Sequence, residues 1–187
     1  EVQAQLIHLP GMQRAFEFHA LGRLKEARRE WDFMLPELAP EQRRIAAEIA
    51  NTPRGQITIV DFADFECPWC RLTHASLAPV VKARGSSVRL VRKQVPLTIH
   101  THAATAAIAA VCADQLGHGE EMADALFAAD PNELTPPGCE KIASSVGVNI
   151  EAFRACTQNP EISARIQKEK AEFKETGARG LPTLWIG

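Results

Sequence analysis

Two cysteines separated by two residues, Cys67 and Cys70, are the residues in this chain whose types and spacing could do chemistry. Three uses are open: a redox pair, half of a metal site, or a structural staple. A zinc site usually needs a second close pair of ligands, and His100 and His102 are too near each other to supply the usual one. A purely structural disulfide between Cys67 and Cys70 would close a very short loop, so it would restrict the unfolded chain little. The redox interpretation is therefore favoured.

The sequence around the pair supports redox chemistry. Cys67 comes just before a predicted helix whose first residue is Pro68, a favourable first helical position. The partial positive charge and free N–H groups of a helix N-terminus stabilise a thiolate, which predicts a lowered pKa for Cys67. Cys70 lies one turn further on, so its thiol can resolve a mixed disulfide formed at Cys67.

The elements that must position this pair follow from the hydrophobic pattern. Residues 57–65 read as a buried strand, residues 68–84 as a helix closed by Gly85, and residues 87–97 as a second strand. This order predicts a βαβ unit with parallel strands. The pattern is helical from residue 101 to 176, with Thr135 and Asn149 as predicted N-caps, and residues 181–187 return to strand. The cysteine pair then lies at the carboxyl end of the first strand, where open α/β sheets place their sites.

Composition limits the classes of function. The chain has 187 residues, 45% hydrophobic and 24% charged, with a net charge of −2, which is typical of a globular protein and does not indicate a nucleic-acid partner. No apolar run reaches the roughly 18 residues of a membrane span. Residues 1–52 form a predicted helical extension, separated from residues 53–187 by a linker at 52–56. We favour a packed extension over an oligomerisation helix.

Several sequence segments together resemble one family. "VDFADFECPWC" resembles the active-site strand and turn of the thioredoxin superfamily, and "GLPTLWIG" resembles its cis-proline loop and the strand that follows. "FECPWCR", "VPL" and "CADQLG" are similar to DsbA-like oxidoreductases, including the BdbD and ScsC type and the thioredoxin domains fused to vitamin K epoxide reductase homologues. The resemblance covers residues 55–187. It implies an α/β thioredoxin fold with a helical insertion at about 100–178.

The resemblance assigns roles to individual positions. Cys67 matches the nucleophile, Cys70 the resolving cysteine, and Asp61 the buried acid that accepts a proton from it. The positions that match substrate-binding or tuning residues are Pro182 as the cis-proline, Leu181 before it, and the dipeptide Pro68 and Trp69. No metal and no organic cofactor is implied.

The other three cysteines are Cys112, Cys139 and Cys156. The family pattern implies a structural disulfide between Cys112 and Cys156, with Cys139 left as a buried thiol. A pair between Cys139 and Cys156 is the alternative. For two charged neighbours of the active site, Glu66 and His74, we favour plain surface positions, and for His100 and His102 we favour capping and packing roles.

The resemblance also predicts the biology. We expect a bacterial protein in the periplasm or otherwise outside the cytoplasm, acting on cysteine-containing protein substrates and reset by a membrane redox partner. An oxidase that forms disulfides is favoured. An isomerase, a reductase, and a thioredoxin-like binding or chaperone module whose cysteines are not turned over are the alternatives. The strand and helix that end the family's fold are expected to be absent from this chain, and a homo-oligomer formed through the N-terminal helix is left open.

Overall fold

The computed structural model describes residues 51–187 and, before them, residues 29, 48 and 49. The helices predicted for the first fifty residues otherwise lie outside the described residues. The three strands are β1 (Ile57–Ala63), β2 (Val88–Gln94) and β3 (Thr183–Ile186). The helices are α1 (Pro68–Arg84), α2 (Ala103–Gln115), α3 (Gly119–Ala128), α4 (Pro136–Ser145), α5 (Ile150–Thr157) and α6 (Pro160–Glu175), with short 3₁₀ turns at Gly85–Ser87 and Pro131–Glu133. No described helix is long and apolar enough to cross a membrane.

The sheet has the strand order β2-β1-β3, with β1 in the centre. β1 runs parallel to β2 and antiparallel to β3, so the predicted strand–helix–strand unit with parallel strands is confirmed. Every residue of β1 after Ile57 is buried, as expected for a central strand covered on both faces. The register places Asp61 directly beside Arg92 of β2. This pairing decides what surrounds the Asp61 carboxylate.

Both long strands are shorter than predicted, for identifiable reasons. β1 ends at Ala63 because the chain then turns, with the Cys67 N–H donating to the Asp64 carbonyl at 3.1 Å. β2 ends at Gln94, two residues before Pro96, which has no N–H to donate to a strand neighbour. The two turns lie at the same end of the sheet, as the cysteine pair does.

Helix α1 has the predicted bounds. Cys67 is its N-cap residue with an extended backbone, and Pro68 occupies the first helical position. It ends at Gly85, whose φ of 51° lies in the left-handed region that favours glycine. Lys82 and Arg84 in the last turn interact favourably with the negative end of the helix dipole. The helix therefore presents its N-terminus, without a side-chain cap, to the cysteine sulfurs.

The predicted helical insertion consists of five helices, α2 to α6. Thr135 and Asn149 cap α4 and α5 as predicted, accepting hydrogen bonds from the N–H groups of Gly138 and Ala152. Alanine-rich α2 lies at the centre, and seven of its alanines and valines are buried together with Cys112. This core continues into the side chains of Phe65, Cys67 and Cys70. The insertion thus packs against the end of the sheet that holds the redox pair.

Candidate active site

The two sulfurs of the predicted redox pair lie at the N-terminus of α1. Both cysteines are free thiols, Cys67 5% exposed and Cys70 2% exposed. The N–H groups of Trp69 and Cys70, in the first turn of the helix, act on the Cys67 sulfur. Because no side chain caps this helix, those N–H groups remain available to the sulfur.

The surroundings of the two thiols shift their pKa values in opposite directions. The pKa of Cys67 is lowered to about 6, first by the hydrogen bond that the Cys70 thiol donates to it and then by the backbone N–H groups, against the effect of burial. The same hydrogen bond, followed by burial, raises the pKa of Cys70. The proton therefore stays on Cys70 while Cys67 carries the negative charge. This is the division of roles predicted for a nucleophile and a resolving cysteine.

Asp61 lies in the centre of the sheet, 3% exposed, at the position predicted for a buried acid. Its Oδ2 is 3.4 Å from Nε of Arg92, and its Oδ1 has no hydrogen-bond partner among the described residues. Burial raises the pKa of Asp61, and the guanidinium of Arg92 opposes this rise without cancelling it. The negative charge of Asp61 in turn adds to the raised pKa of Cys70. A buried acid with a raised pKa is of the kind that can give up and accept a proton in general acid–base chemistry.

Arg92 is the residue near Asp61 that sequence reasoning missed. Its side chain is 8% exposed and also contacts Glu120, His74 and the ring of Phe127. The register of the two parallel strands places Arg92 beside Asp61, and the sequence alone does not show that register.

The prediction that His74 is a surface residue is wrong. It is 8% exposed, stacks on Phe127 and bonds Asp124 through Nε2 at 2.9 Å. It is buried because α3 of the insertion packs over this face of α1. Burial and the neighbouring Arg92 lower its pKa. Glu66 is half-buried, and its carboxylate accepts the N–H of His102 at 2.6 Å, so it satisfies a donor at the start of α2.

The loop predicted to hold a cis-proline lies before β3. The Leu181–Pro182 peptide bond is cis. Pro182 is buried, and half-buried Leu181 packs against the core cluster that includes both cysteines. Trp69, 50% exposed, projects from the first turn of α1. The structure thus places Leu181 against the core cluster that contains the redox pair, and it leaves the Trp69 ring half-exposed.

The remaining cysteines lie in the insertion. Cys112 and Cys156 form a disulfide that joins α2 to α5. Cys139 is a buried thiol beside the Leu134 carbonyl, and burial raises its pKa to about 11, so it is a poor nucleophile. Among the described residues, no three histidine, cysteine or acidic side chains are grouped as metal ligands.

Comparison with known proteins decides the family. A family model described as "Thioredoxin" matches residues 52–187. The chain belongs to this family. A second model, described as "Soluble lytic murein transglycosylase L domain", matches residues 5–53.

Solved structures place this thioredoxin-family chain in the DsbA-like branch. A thioredoxin-like oxidoreductase from Silicibacter pomeroyi matches with a TM-score of 0.62 and 31% identity, over 72% of this chain and 76% of that one. DsbA2 of Pseudomonas aeruginosa matches with a TM-score of 0.58 and 26% identity, over 71% and 74%. The thiol-disulfide exchange protein α-DsbA2 of Wolbachia pipientis shares the fold, with a TM-score of 0.63, 17% identity and coverage of 79% and 83%. The predicted thioredoxin fold with a helical insertion is confirmed, and the domain is of the thiol–disulfide oxidoreductase type.

Curated proteins with similar sequences include Na⁺/H⁺ antiporters. The chain is 30% identical over 131 residues to a Na⁺/H⁺ antiporter, NhaA 3, of Salinispora tropica, and 27% identical over 132 residues to NhaA of Herminiimonas arsenicoxydans. These matches cover 70% and 71% of this chain. The chain spans about a fifth of the length of these curated relatives.

Proposed function

We propose that this domain is a disulfide-forming oxidase of cysteine-containing protein substrates. The observation that carries the proposal is the contrast between the two thiols, with the pKa of Cys67 lowered to about 6 and that of Cys70 raised. A stabilised Cys67 thiolate stabilises the reduced protein relative to its disulfide. A disulfide destabilised in this way readily passes to a substrate.

The proposed reaction has two exchanges. A substrate thiolate attacks Sγ of Cys67 in the oxidised protein, a mixed disulfide forms, and Cys70 leaves as a thiolate and takes up a proton. A second substrate thiolate then attacks the substrate sulfur of the mixed disulfide, and Cys67 leaves as the stabilised thiolate. The substrate loses two electrons and gains a disulfide, and the active site becomes a dithiol. A membrane redox partner is proposed to accept these electrons and restore the Cys67–Cys70 disulfide.

Asp61 is the proposed source and acceptor of the Cys70 proton. Its carboxyl is buried, has a raised pKa, and has an oxygen without a hydrogen-bond partner among the described residues, so it can hold a proton to give to Cys70 when Cys70 leaves as a thiolate. In the resetting direction it accepts that proton back. Pro68 contributes by starting the helix immediately after Cys67, which keeps the first-turn N–H groups on the sulfur.

The proposed substrate site surrounds Cys67. Leu181 lies at the cis peptide before β3, where its backbone is proposed to pair with an extended substrate segment. Pro182, which is buried, is proposed to hold this loop beside the redox pair. The half-exposed Trp69 ring is proposed to contact apolar residues next to the substrate cysteine.

We propose a location outside the cytoplasm, in the periplasm or its equivalent. The Cys112–Cys156 disulfide supports this, because structural disulfides persist in oxidising compartments. The similarity to segments of two antiporters is consistent with a domain that works beside a membrane. Residues 1–52 are proposed as a separate helical extension and residues 53–187 as the oxidoreductase domain. Oligomerisation through the extension stays a prediction.

The reduction potential of the Cys67–Cys70 pair tests the proposal. The protein is equilibrated with glutathione buffers, and alkylated thiols are quantified by mass spectrometry. A reduction potential of about −120 mV supports a disulfide donor, whereas one of about −270 mV indicates a reductase. Cys67→Ser should abolish exchange, and Cys139→Ser, which removes a buried thiol in the insertion, should leave it unchanged. Exchange that survives Cys67→Ser would overturn the assignment of the nucleophile.

A further inference from the structure

Asp64, in the turn between β1 and α1, has a buried carboxylate whose two oxygens both form hydrogen bonds. Its side chain is 0% exposed. Oδ1 accepts the Glu66 N–H at 2.8 Å, and Oδ2 accepts the Leu97 N–H at 2.8 Å and lies 2.8 Å from Nδ1 of His100. A buried carboxylate is tolerated where donors such as these compensate it.

The main chain of Asp64 holds both members of the redox pair. Its carbonyl accepts the Cys67 N–H at 3.1 Å, and its own N–H donates to the Cys70 sulfur at 3.4 Å. A shift of this residue would therefore move the N-cap of α1 and the donor to Cys70 together. The position of Asp64 and the alignment of the two thiols are mechanically linked.

His100 supplies the side-chain donor in this arrangement. The other donors to Asp64 are backbone N–H groups, which almost any residue in those positions would provide. Because an ionised carboxylate only accepts hydrogen bonds, Nδ1 of His100 must carry a proton. The imidazole is 17% exposed, and among the described residues its hydrogen bond goes to Asp64, not to a sulfur. Any effect of His100 on the cysteines must pass through Asp64.

We propose that His100 is a positioning residue of the redox pair, holding the Asp64 carboxylate so that the Asp64 main chain aligns Cys67 and Cys70. The inference rests on the proposed thiol–disulfide exchange at Cys67. The Asp64 charge also opposes the Cys67 thiolate. Without the imidazole, that charge is less compensated and the turn is less well held. Both changes destabilise the thiolate.

A matched pair of variants tests this role. His100→Phe removes the donor and keeps a ring. His102→Phe makes the same change two residues away, where the structure uses the backbone N–H that phenylalanine retains. Thiolate absorbance against pH should show the pKa of Cys67 raised by about one unit in His100→Phe, roughly a tenfold loss of thiolate at pH values well below 6. The reduction potential should fall by about 30 mV for a tenfold change in the exchange constant. His102→Phe should leave both values unchanged.

A purely structural role for His100 predicts a different result. In that case His100→Phe would lower the unfolding midpoint while its Cys67 titration and potential matched those of His102→Phe, and this outcome overturns the proposal. If His100→Phe does not fold, nitrogen NMR of the wild-type protein decides. Nδ1 of His100 should be protonated, and its ring shifts should differ between the disulfide and dithiol forms. The proposal is overturned if Nδ1 carries no proton, or if the chemical shifts of the His100 ring are the same in the disulfide and dithiol forms.

The wild-type protein separates this inference from the proposed function. If wild-type protein does not exchange with glutathione, the proposed oxidase function fails. If it exchanges and the two histidine variants titrate alike, only the positioning role of His100 fails.

Discussion

Arg92 lies directly beside Asp61 in the parallel pair of strands, with its Nε 3.4 Å from Oδ2 of that carboxylate. The guanidinium only partly offsets the cost of burying the acid, and the pKa of Asp61 stays raised above 3.8. The neutral carboxyl therefore stabilises the folded protein at low pH. That stabilisation is lost as the pH rises through the folded-state pKa. The raised pKa of Asp61 therefore affects how stability depends on pH, and it also bears on the proposed proton transfer with Cys70.

Asp61→Asn should raise the free energy of unfolding at neutral pH. The amide keeps the shape and removes the cost of the buried charge, so the difference from wild type should shrink as the pH falls through the raised folded-state pKa of Asp61 and level off below about 4. Urea unfolding at several pH values measures it, with Glu175→Gln, the same kind of change at an exposed acid of α6, as the control. Exchange should nevertheless slow, because the proposed proton acceptor for Cys70 is gone. A stability difference that does not vary with pH would contradict the raised pKa.

Cys70→Ala should raise the pKa of Cys67 above 6, since the Cys70 thiol supplies the largest lowering effect. A hydrogen bond to a charged group contributes about 1.5–3 kcal/mol, which corresponds to a rise of roughly one to two pKa units. The rate of Cys67 alkylation as a function of pH gives the value. Cys139→Ala is the matched control, and an unchanged Cys67 titration in Cys70→Ala would show that the helix N-terminus alone holds the thiolate.

The double substitution Cys112→Ala and Cys156→Ala should lower the free energy of unfolding by about 2–4 kcal/mol. The disulfide joins residues 44 positions apart, so its loss frees a long loop in the unfolded chain. Urea unfolding should be compared without reductant, in proteins whose Cys67 and Cys70 are both replaced by serine, so that Cys112–Cys156 is the disulfide that differs. The Cys67 titration should not change, because the cross-link lies within the insertion. An unfolding midpoint equal to that of wild type would show that the bond adds no net stability.

Trp69→Ala should slow exchange with an unfolded cysteine-containing protein more than exchange with glutathione. The ring is 50% exposed, so its removal costs little stability and removes an apolar contact beside Cys67. Val80→Ala is the control, because Val80 is a comparably exposed apolar residue, 51% exposed, near the other end of the same helix. Equal slowing towards both substrates would argue against a contact with the protein partner.

The sequence by itself determined the features that depend on neighbouring residues. The bounds of α1 follow from Pro68 at its start and Gly85 at its end, and the caps at Thr135 and Asn149 follow from their own side chains. The low pKa predicted for Cys67 has a local cause as well, since Cys70 and the first-turn N–H groups lie within three residues of it. Local geometry repeats wherever the same short sequence forms a helix N-terminus, so the pattern could be read in advance.

Only the tertiary structure decided which distant groups meet at the site. Arg92 reaches Asp61 because the register of β1 and β2 sets them side by side, 31 residues apart. His100 reaches Asp64 across 36 residues, and His74 becomes buried because α3 covers it. Pairing register and the packing of one helix on another depend on the whole set of buried contacts. No short stretch of this chain encodes them.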